Sequence, residues 1–280
     1  MSDTAQQVAS LLRSRRERLQ PGDVGLPAGV RRRTRGLRRE EVAQLASVSP
    51  TYYTFLEQGR DIRPSRQILD ALADALRMSA AERGLLHQLV HGTPQAACGP
   101  ERLPAGLAAL VDRLDPLPAY VKGRRWDILA ANRAARELWT DWPARPVAER
   151  NIVWWTFLDP AARSVLADWA TEAPELLARY RGAAARYAGD PAFESLTGEL
   201  LAASPEARAW WPRFDVAPIG SGTKRIRHAE LGDLTFRHVV LQLADDPELK
   251  LVSYSASAAD EARIGALLRD RAWLPWQDDQ

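Results

Sequence analysis

Between residues 31 and 39 the chain reads Arg-Arg-Arg-Thr-Arg-Gly-Leu-Arg-Arg, six arginines in nine positions with no acid among them. Guanidinium groups at this density suit a partner with closely spaced phosphates, because each contact releases a condensed counterion. Arg31, Arg32, Arg33, Arg35, Arg38 and Arg39 are therefore candidate phosphate ligands. A solvated charge run is the bland alternative, and the residues that follow weigh against it. Pro50, Thr51, Tyr52 and Thr54 lie just downstream. A threonine can bond a base edge or touch a thymine methyl, a tyrosine can bond phosphate or stack, and a proline offers apolar contact only. Gln58 and Arg60, at the end of the same stretch, are further candidates for phosphate.

Such groups need a rigid carrier, and residues 38–58 spell one. Val42, Ala46, Val48, Tyr53 and Leu56 supply apolar positions that lock two short helices together, with the small Ala43 where their backbones cross. Ser49 suits the N-cap of the second helix and Pro50 its first position, where a missing N–H costs nothing. The pattern predicts a helix-turn-helix, a unit that lays its second helix in the DNA major groove. A first helix is expected over 4–18. Another follows Pro64-Ser65, with Ile68, Leu69, Leu72 and Leu76 on one face. Ser79-Ala80-Ala81-Glu82 forms a capping box ahead of Leu85, Leu86 and Leu89, and Gly92 stops that helix. Residues 1–92 thus read as an all-α domain of five helices.

Charge follows the same division. Residues 1–95 hold fifteen arginines against ten acids, while the remainder is acidic, so the net charge of +2 hides a basic surplus around the helix-turn-helix. A chain of 280 residues is long enough for two domains. Cys98 is the sole cysteine, which excludes an internal disulfide and a cysteine metal cluster. The N-terminus lacks an apolar signal core and no run of 18 apolar residues occurs, so a cytoplasmic protein without a membrane span is expected.

Residues 93–104, with Pro94, Gly99, Pro100 and Pro104, read as a linker, 105–271 as a second domain and 272–280 as a tail. All ten tryptophans lie between 126 and 276. Strands are expected at 119–122 and 126–130 around a turn at Gly123, then helices capped by Asn132, Asp159-Pro160 and Asp190-Pro191. Strands at 223–230 and 234–243 flank Gly232-Asp233, a two-residue hairpin signal, and 249–256 adds a third before a last helix over 259–271. This is an α+β arrangement, helices against one face of an antiparallel sheet. Trp154, Trp155, Trp169, Trp210 and Trp211 are candidates to line an apolar ligand pocket. Arg150, Asn151, Lys224, Arg227 and His228 are candidates to hold an anionic head group. Core packing for the tryptophans and plain surface exposure for the polar set are the bland alternatives.

Residues 6–92 resemble the lambda-repressor-like, xenobiotic-response-element family of bacterial regulators. Gly36-Leu37-Arg38-Arg39-Glu40-Glu41-Val42-Ala43, then Tyr52-Tyr53 and Leu56-Glu57-Gln58-Gly59-Arg60, are similar to the subfamily with an MmyB-like ligand-binding domain. The resemblance continues through Arg150-Asn151, Asp159-Pro160-Ala161-Ala162-Arg163, Asp168-Trp169, Asp190-Pro191, Asp215-Val216, Gly222-Thr223-Lys224-Arg225, His228 and Gly232-Asp233-Leu234-Thr235. It implies a lambda-repressor-like DNA-binding domain followed by a PAS-like domain whose pocket takes an apolar, fatty-acid-like molecule. Four positions depart from the family pattern: Ser47 stands at a turn usually taken by glycine, Ala131 replaces a tryptophan, Phe214 a histidine, and Arg237 a tyrosine-like residue.

Enzyme chemistry finds little support. His87 and His91 have metal-ligand spacing but no third ligand nearby, and Gly220-Ser221-Gly222-Thr223-Lys224 lacks the spacing of a phosphate loop. No Ser-His-Asp arrangement is visible, and neither cofactor nor metal is expected. The expectation is a transcription regulator, a repressor, acting as a homodimer on near-palindromic double-stranded DNA and answering an apolar small-molecule effector. The rival is a DNA-binding protein whose C-terminal domain serves only dimerisation or protein docking.

Overall fold

The computed structural model describes residues 3–27, 36–60, 62–92, 101–187, 189–213 and 221–271. The chain divides into two compact units, one of residues 1–96 with 181–194 and 208–218, the other of 97–180 with 195–207 and 219–280. No described helix is long and apolar enough to cross a membrane.

The first unit opens with α1 (Asp3–Arg18), α2 (Arg39–Leu45), α3 (Pro50–Glu57), α4 (Arg66–Ala75) and α5 (Ala80–His91). Helix starts fall where side-chain acceptors meet orphan amides. Ser49 Oγ accepts from the Tyr52 N–H at 3.1 Å and Ser65 Oγ from the Ile68 N–H at 3.3 Å. Ser79 and Glu82 bond each other's backbone amides, a reciprocal capping box. Leu11, Leu12, Val42, Ala43, Tyr53 and Leu72 fill the core between the helices, each fully buried.

The turn between α2 and α3 is closed by the Val48 N–H on the Ala43 carbonyl at 2.9 Å. Ser47 takes φ 53° there, a left-handed conformation that a glycine would adopt without strain. Gly36, just before α2, has φ 80°, and a Cβ on it would lie 2.5 Å from the Arg16 carbonyl oxygen. That carbonyl accepts the Leu37 N–H at 2.9 Å, so the chain entering α2 is pressed against α1.

From residue 105 the order is α6 (Ala105–Arg113), β1 (Ala119–Lys122), β2 (Ile128–Ala131), α7 (Arg133–Leu138), α8 (Ile152–Leu158), α9 (Pro160–Val165) and α10 (Trp169–Arg186). Then come α11 (Pro191–Ala203), α12 (Pro205–Trp210), β3 (Gly222–His228), β4 (Gly232–Gln242), β5 (Lys250–Ser255) and α13 (Ala258–Arg269). The strands form one antiparallel sheet in the order β2-β1-β5-β4-β3. Asn132, Asp159 and Asp190 accept backbone amides at the starts of α7, α9 and α11, as their spacing predicts.

Two turns differ from expectation. The β3–β4 ladder pairs His228 with Gly232, so the loop is the three residues 229–231 and not Gly232-Asp233. This register sets the fully buried Ile226 opposite Leu234, and Gly232 at φ 68° lets the chain enter β4. In the first hairpin β2 begins at Ile128, because Trp126 sits in the loop with φ 73°.

Candidate DNA-reading helix and ligand cavity

The helix-turn-helix is held by a buried ion cluster. Glu57, at the end of α3, is fully buried. Its Oε2 accepts from Arg39 Nε of α2 at 2.7 Å and from Arg16 of α1 at 3.2 Å, and its Oε1 accepts the Tyr53 hydroxyl at 2.9 Å. Burial opposes ionisation of Glu57, but hydrogen bonds from Arg16 and Arg39 outweigh it and hold the carboxyl below the usual range. Arg16 also donates to the Leu37 carbonyl at 3.0 Å. One carboxylate therefore ties three helices together and fixes the direction in which α3 points.

The opposite side of α3 faces solvent. Pro50 and Thr51 are exposed in its first turn and Tyr52 is half-buried. Thr54 donates its hydroxyl to the Pro50 carbonyl at 2.8 Å, leaving its methyl and oxygen lone pairs for outside contact. Beyond the helix, Arg60 donates to Gln58 Oε1 at 3.1 Å and lies 3.9 Å over the Phe55 ring. Arg38 is exposed, whereas Arg39 is partly committed to Glu57. Arg31, Arg32, Arg33 and Arg35 lie outside the described residues.

In the second unit, strand alternation places Tyr120 and Lys122 of β1, Val252 and Tyr254 of β5, His238 and Val240 of β4, and Gly222 and Lys224 of β3 on one sheet face. The other face of β1 and β5 packs Ala119, Val121 and Leu251 with Val111 of α6. Against the first face lies a cavity of about 290 Å³, whose remaining wall includes Trp126, Trp139, Trp155 of α8, and Glu172, Leu176 and Arg179 of α10. Trp139 packs 4.9 Å from Tyr254, whose hydroxyl is 3.4 Å from that of Tyr120. Burial pushes the Tyr120 phenol up to about 12, so it stays neutral and keeps its proton to donate. The arrangement is an aromatic chamber with a few polar groups, suited to an apolar molecule that carries one polar end.

A family model described as the MmyB-like transcription regulator ligand binding domain matches residues 103–268, and a helix-turn-helix domain model matches residues 7–86. The chain belongs to the MmyB-like transcription regulators. It is thus a DNA-binding regulator with a ligand-sensing domain, and both matched families are regulatory rather than enzymatic. Comparison with curated proteins gives no match.

Of the ten ligand candidates read from the sequence, the MmyB-like domain brings Trp155 and Lys224 to the cavity wall. Lys224 is paired there with Glu172 at 2.6 Å. The others are placed elsewhere. Asn151 is a buried clamp: its Oδ1 caps α8 through the Val153 and Trp154 amides, and its Nδ2 donates to the Arg125 carbonyl and to Asp127. Arg150 donates to the Arg145 and Pro143 carbonyls, and Trp154 to Glu199. Trp169 donates to the Thr156 carbonyl at 2.8 Å beneath the Arg163 guanidinium. Arg227 is exposed and lies 3.8 Å from Asp233, His228 lies 3.3 Å from Glu137, and Trp210 and Trp211 fall in the segment 208–218 of the first unit. Lys122, Trp126, Tyr120 and Tyr254 line the cavity and are missed by sequence reasoning; period-2 alternation of Tyr120 and Lys122 is the signal that could have found them. His87 bonds Asp70 at 2.8 Å, and among the described residues no group of three His, Cys, Asp or Glu is placed to hold a metal.

Proposed function

We propose that this MmyB-like regulator is a repressor that reads a near-palindromic operator as a homodimer and releases or grips it when an apolar, fatty-acid-like molecule occupies the aromatic cavity. The observation that carries the reading is the pairing of a solvent-facing α3 first turn, anchored from behind by Glu57, with a chamber lined by Trp126, Trp139, Trp155 and Tyr254. A C-terminal domain that served only dimerisation or docking would need no such chamber. The five helices from α1 to α5 support a lambda-repressor-like domain within residues 1–92, and the five-stranded antiparallel order supports a PAS-like one within 105–271.

In this reading Pro50, Thr51, Tyr52 and Thr54 meet base edges, and Gln58, Arg60, Arg38, Arg39 and the arginines at 31, 32, 33 and 35 hold phosphate. Two heads set about 34 Å apart reach successive major grooves on one side of the duplex. Coupling follows from linkage: a ligand that binds one arrangement of the heads more tightly shifts the population toward it. Capture of genomic fragments by the full-length protein, followed by titration of the enriched duplex with and without a medium-chain fatty acid, tests this. The expected result is one inverted-repeat motif, two protomers per site, and a ligand-dependent change in affinity. Enrichment of no motif refutes the operator reading, and unaltered affinity at saturating ligand refutes the sensor reading.

A further inference from the structure

The cavity contains an amine that the proposed function leaves without a task. Lys122 of β1 is 4% exposed, and no carboxylate among the described residues pairs with it. The acids of the wall are already engaged: Glu172 holds Lys224 at 2.6 Å and Glu175 bonds Arg179 at 3.0 Å. The Lys122 Nζ lies instead over the Trp126 ring, 2.9 Å from its centre. Trp126 reaches that place from a left-handed backbone conformation, φ 73°, which is strained for a non-glycine residue and persists only where surrounding contacts impose it.

A second polar atom is also unused. Trp155 is fully buried, lines the same cavity, and its indole N–H has no acceptor among the described residues. A buried donor left so carries a desolvation penalty that no partner offsets. Burial, reinforced by the positive charges of Lys250 and Arg179, holds the Lys122 amine well below the ordinary lysine range. Desolvation beside other cations favours the uncharged, nucleophilic form of a lysine amine, a bias that an exposed lysine does not have.

We propose that Lys122 captures an apolar aldehyde as an imine, so that the cavity detects a reactive carbonyl as well as an alkyl chain. The proposal rests on the cavity being the ligand site. The amine lone pair attacks the carbonyl carbon, a C–N bond forms, and the carbonyl oxygen takes a proton to give a carbinolamine. The C–O bond then breaks, the oxygen leaves as water with a proton lost from nitrogen, and the C=N bond forms. Nothing is oxidised or reduced, water is the sole by-product, and hydrolysis reverses the capture.

The chain has three lysines, Lys122, Lys224 and Lys250, which makes the test clean. The full-length protein is incubated at neutral pH with octanal and cyanoborohydride, which traps an imine as a stable octyl amine, and then analysed by intact mass and peptide mapping. One octyl group is expected on Lys122, formed about tenfold or more faster than on Lys224, Lys250 or the amino terminus. K122R puts a guanidinium in place of the nucleophilic amine and is expected to lose that addition. Equal labelling of all amines overturns the proposal. So does absence of labelling in wild-type protein that binds octanol or octanoate, a result that leaves the sensor reading standing. Failure of octanal, octanol and octanoate alike to bind or label overturns both. Mapping of the wild-type protein decides the matter even if K122R does not fold.

Discussion

Thr51 is exposed in the first turn of α3, one residue beyond the proline that starts the helix. Its hydroxyl and methyl can meet different base edges, whereas Pro50 beside it offers apolar surface alone. Replacing Thr51 with alanine is expected to change preference at one base position by about 1–3 kcal/mol while leaving nonspecific affinity intact. Selection from a random duplex library compares the two profiles, and identical profiles remove Thr51 as a reader. The same scale separates the cavity's two lysines. Lys224 is paired with Glu172 and was legible as a polar anchor candidate from its sequence surroundings. Lys122 lies in a short strand whose role in a chamber depends on residues 252 and 254, more than a hundred positions away.

Between elements, Glu57 is the tie. It belongs to a motif visible in the sequence, yet nothing local pairs it with Arg16, since helical spacing rules reach three or four residues and this pair spans 41. Glu57→Gln leaves Arg16, 8% exposed, with only the exposed Glu17 carboxylate at 3.4 Å, and breaking one side of a buried pair costs about 3–5 kcal/mol. Urea unfolding of both proteins measures the loss. A difference under about 1 kcal/mol would assign the anchoring of α3 to apolar packing alone. The pH dependence has a definite sign. Because the folded carboxyl ionises below the ordinary glutamate value of about 4.3, its contribution is fully present above that value. It is lost as pH falls through the lower folded-state value, and Glu57→Gln is expected to lack that component. The hairpin at 229–231 teaches a related point. Gly232-Asp233 looks like a two-residue loop, but the pairing of Ile226 with Leu234 in the core decides the register and moves the turn.

At the scale of the whole regulator, affinity for DNA is electrostatic before it is specific. Replacing Arg31, Arg32 and Arg33 with alanine is expected to weaken binding to all sequences alike. The slope of log affinity against log salt should flatten by about 0.9 for each phosphate that is no longer neutralised. Fluorescence anisotropy across a salt series reads the slope, and an unchanged slope refutes the run as a phosphate grip. The basic surplus of residues 1–95 and the acidic balance of the rest are consistent with DNA contact confined to the N-terminal part.

Taken alone, the amino-acid order determined the helix-turn-helix, its Ser49 cap and Pro50 start, the capping box at Ser79, and the caps at Asn132, Asp159 and Asp190. Each depends on a side chain reaching an amide two or three residues away, so spacing suffices. Tertiary structure alone decided which tryptophans wall the cavity, how Asn151 clamps the start of α8 to the first hairpin, and where the buried Lys122 lies. Those outcomes depend on register between distant strands and on removal of water from side chains that no short stretch of sequence brings together.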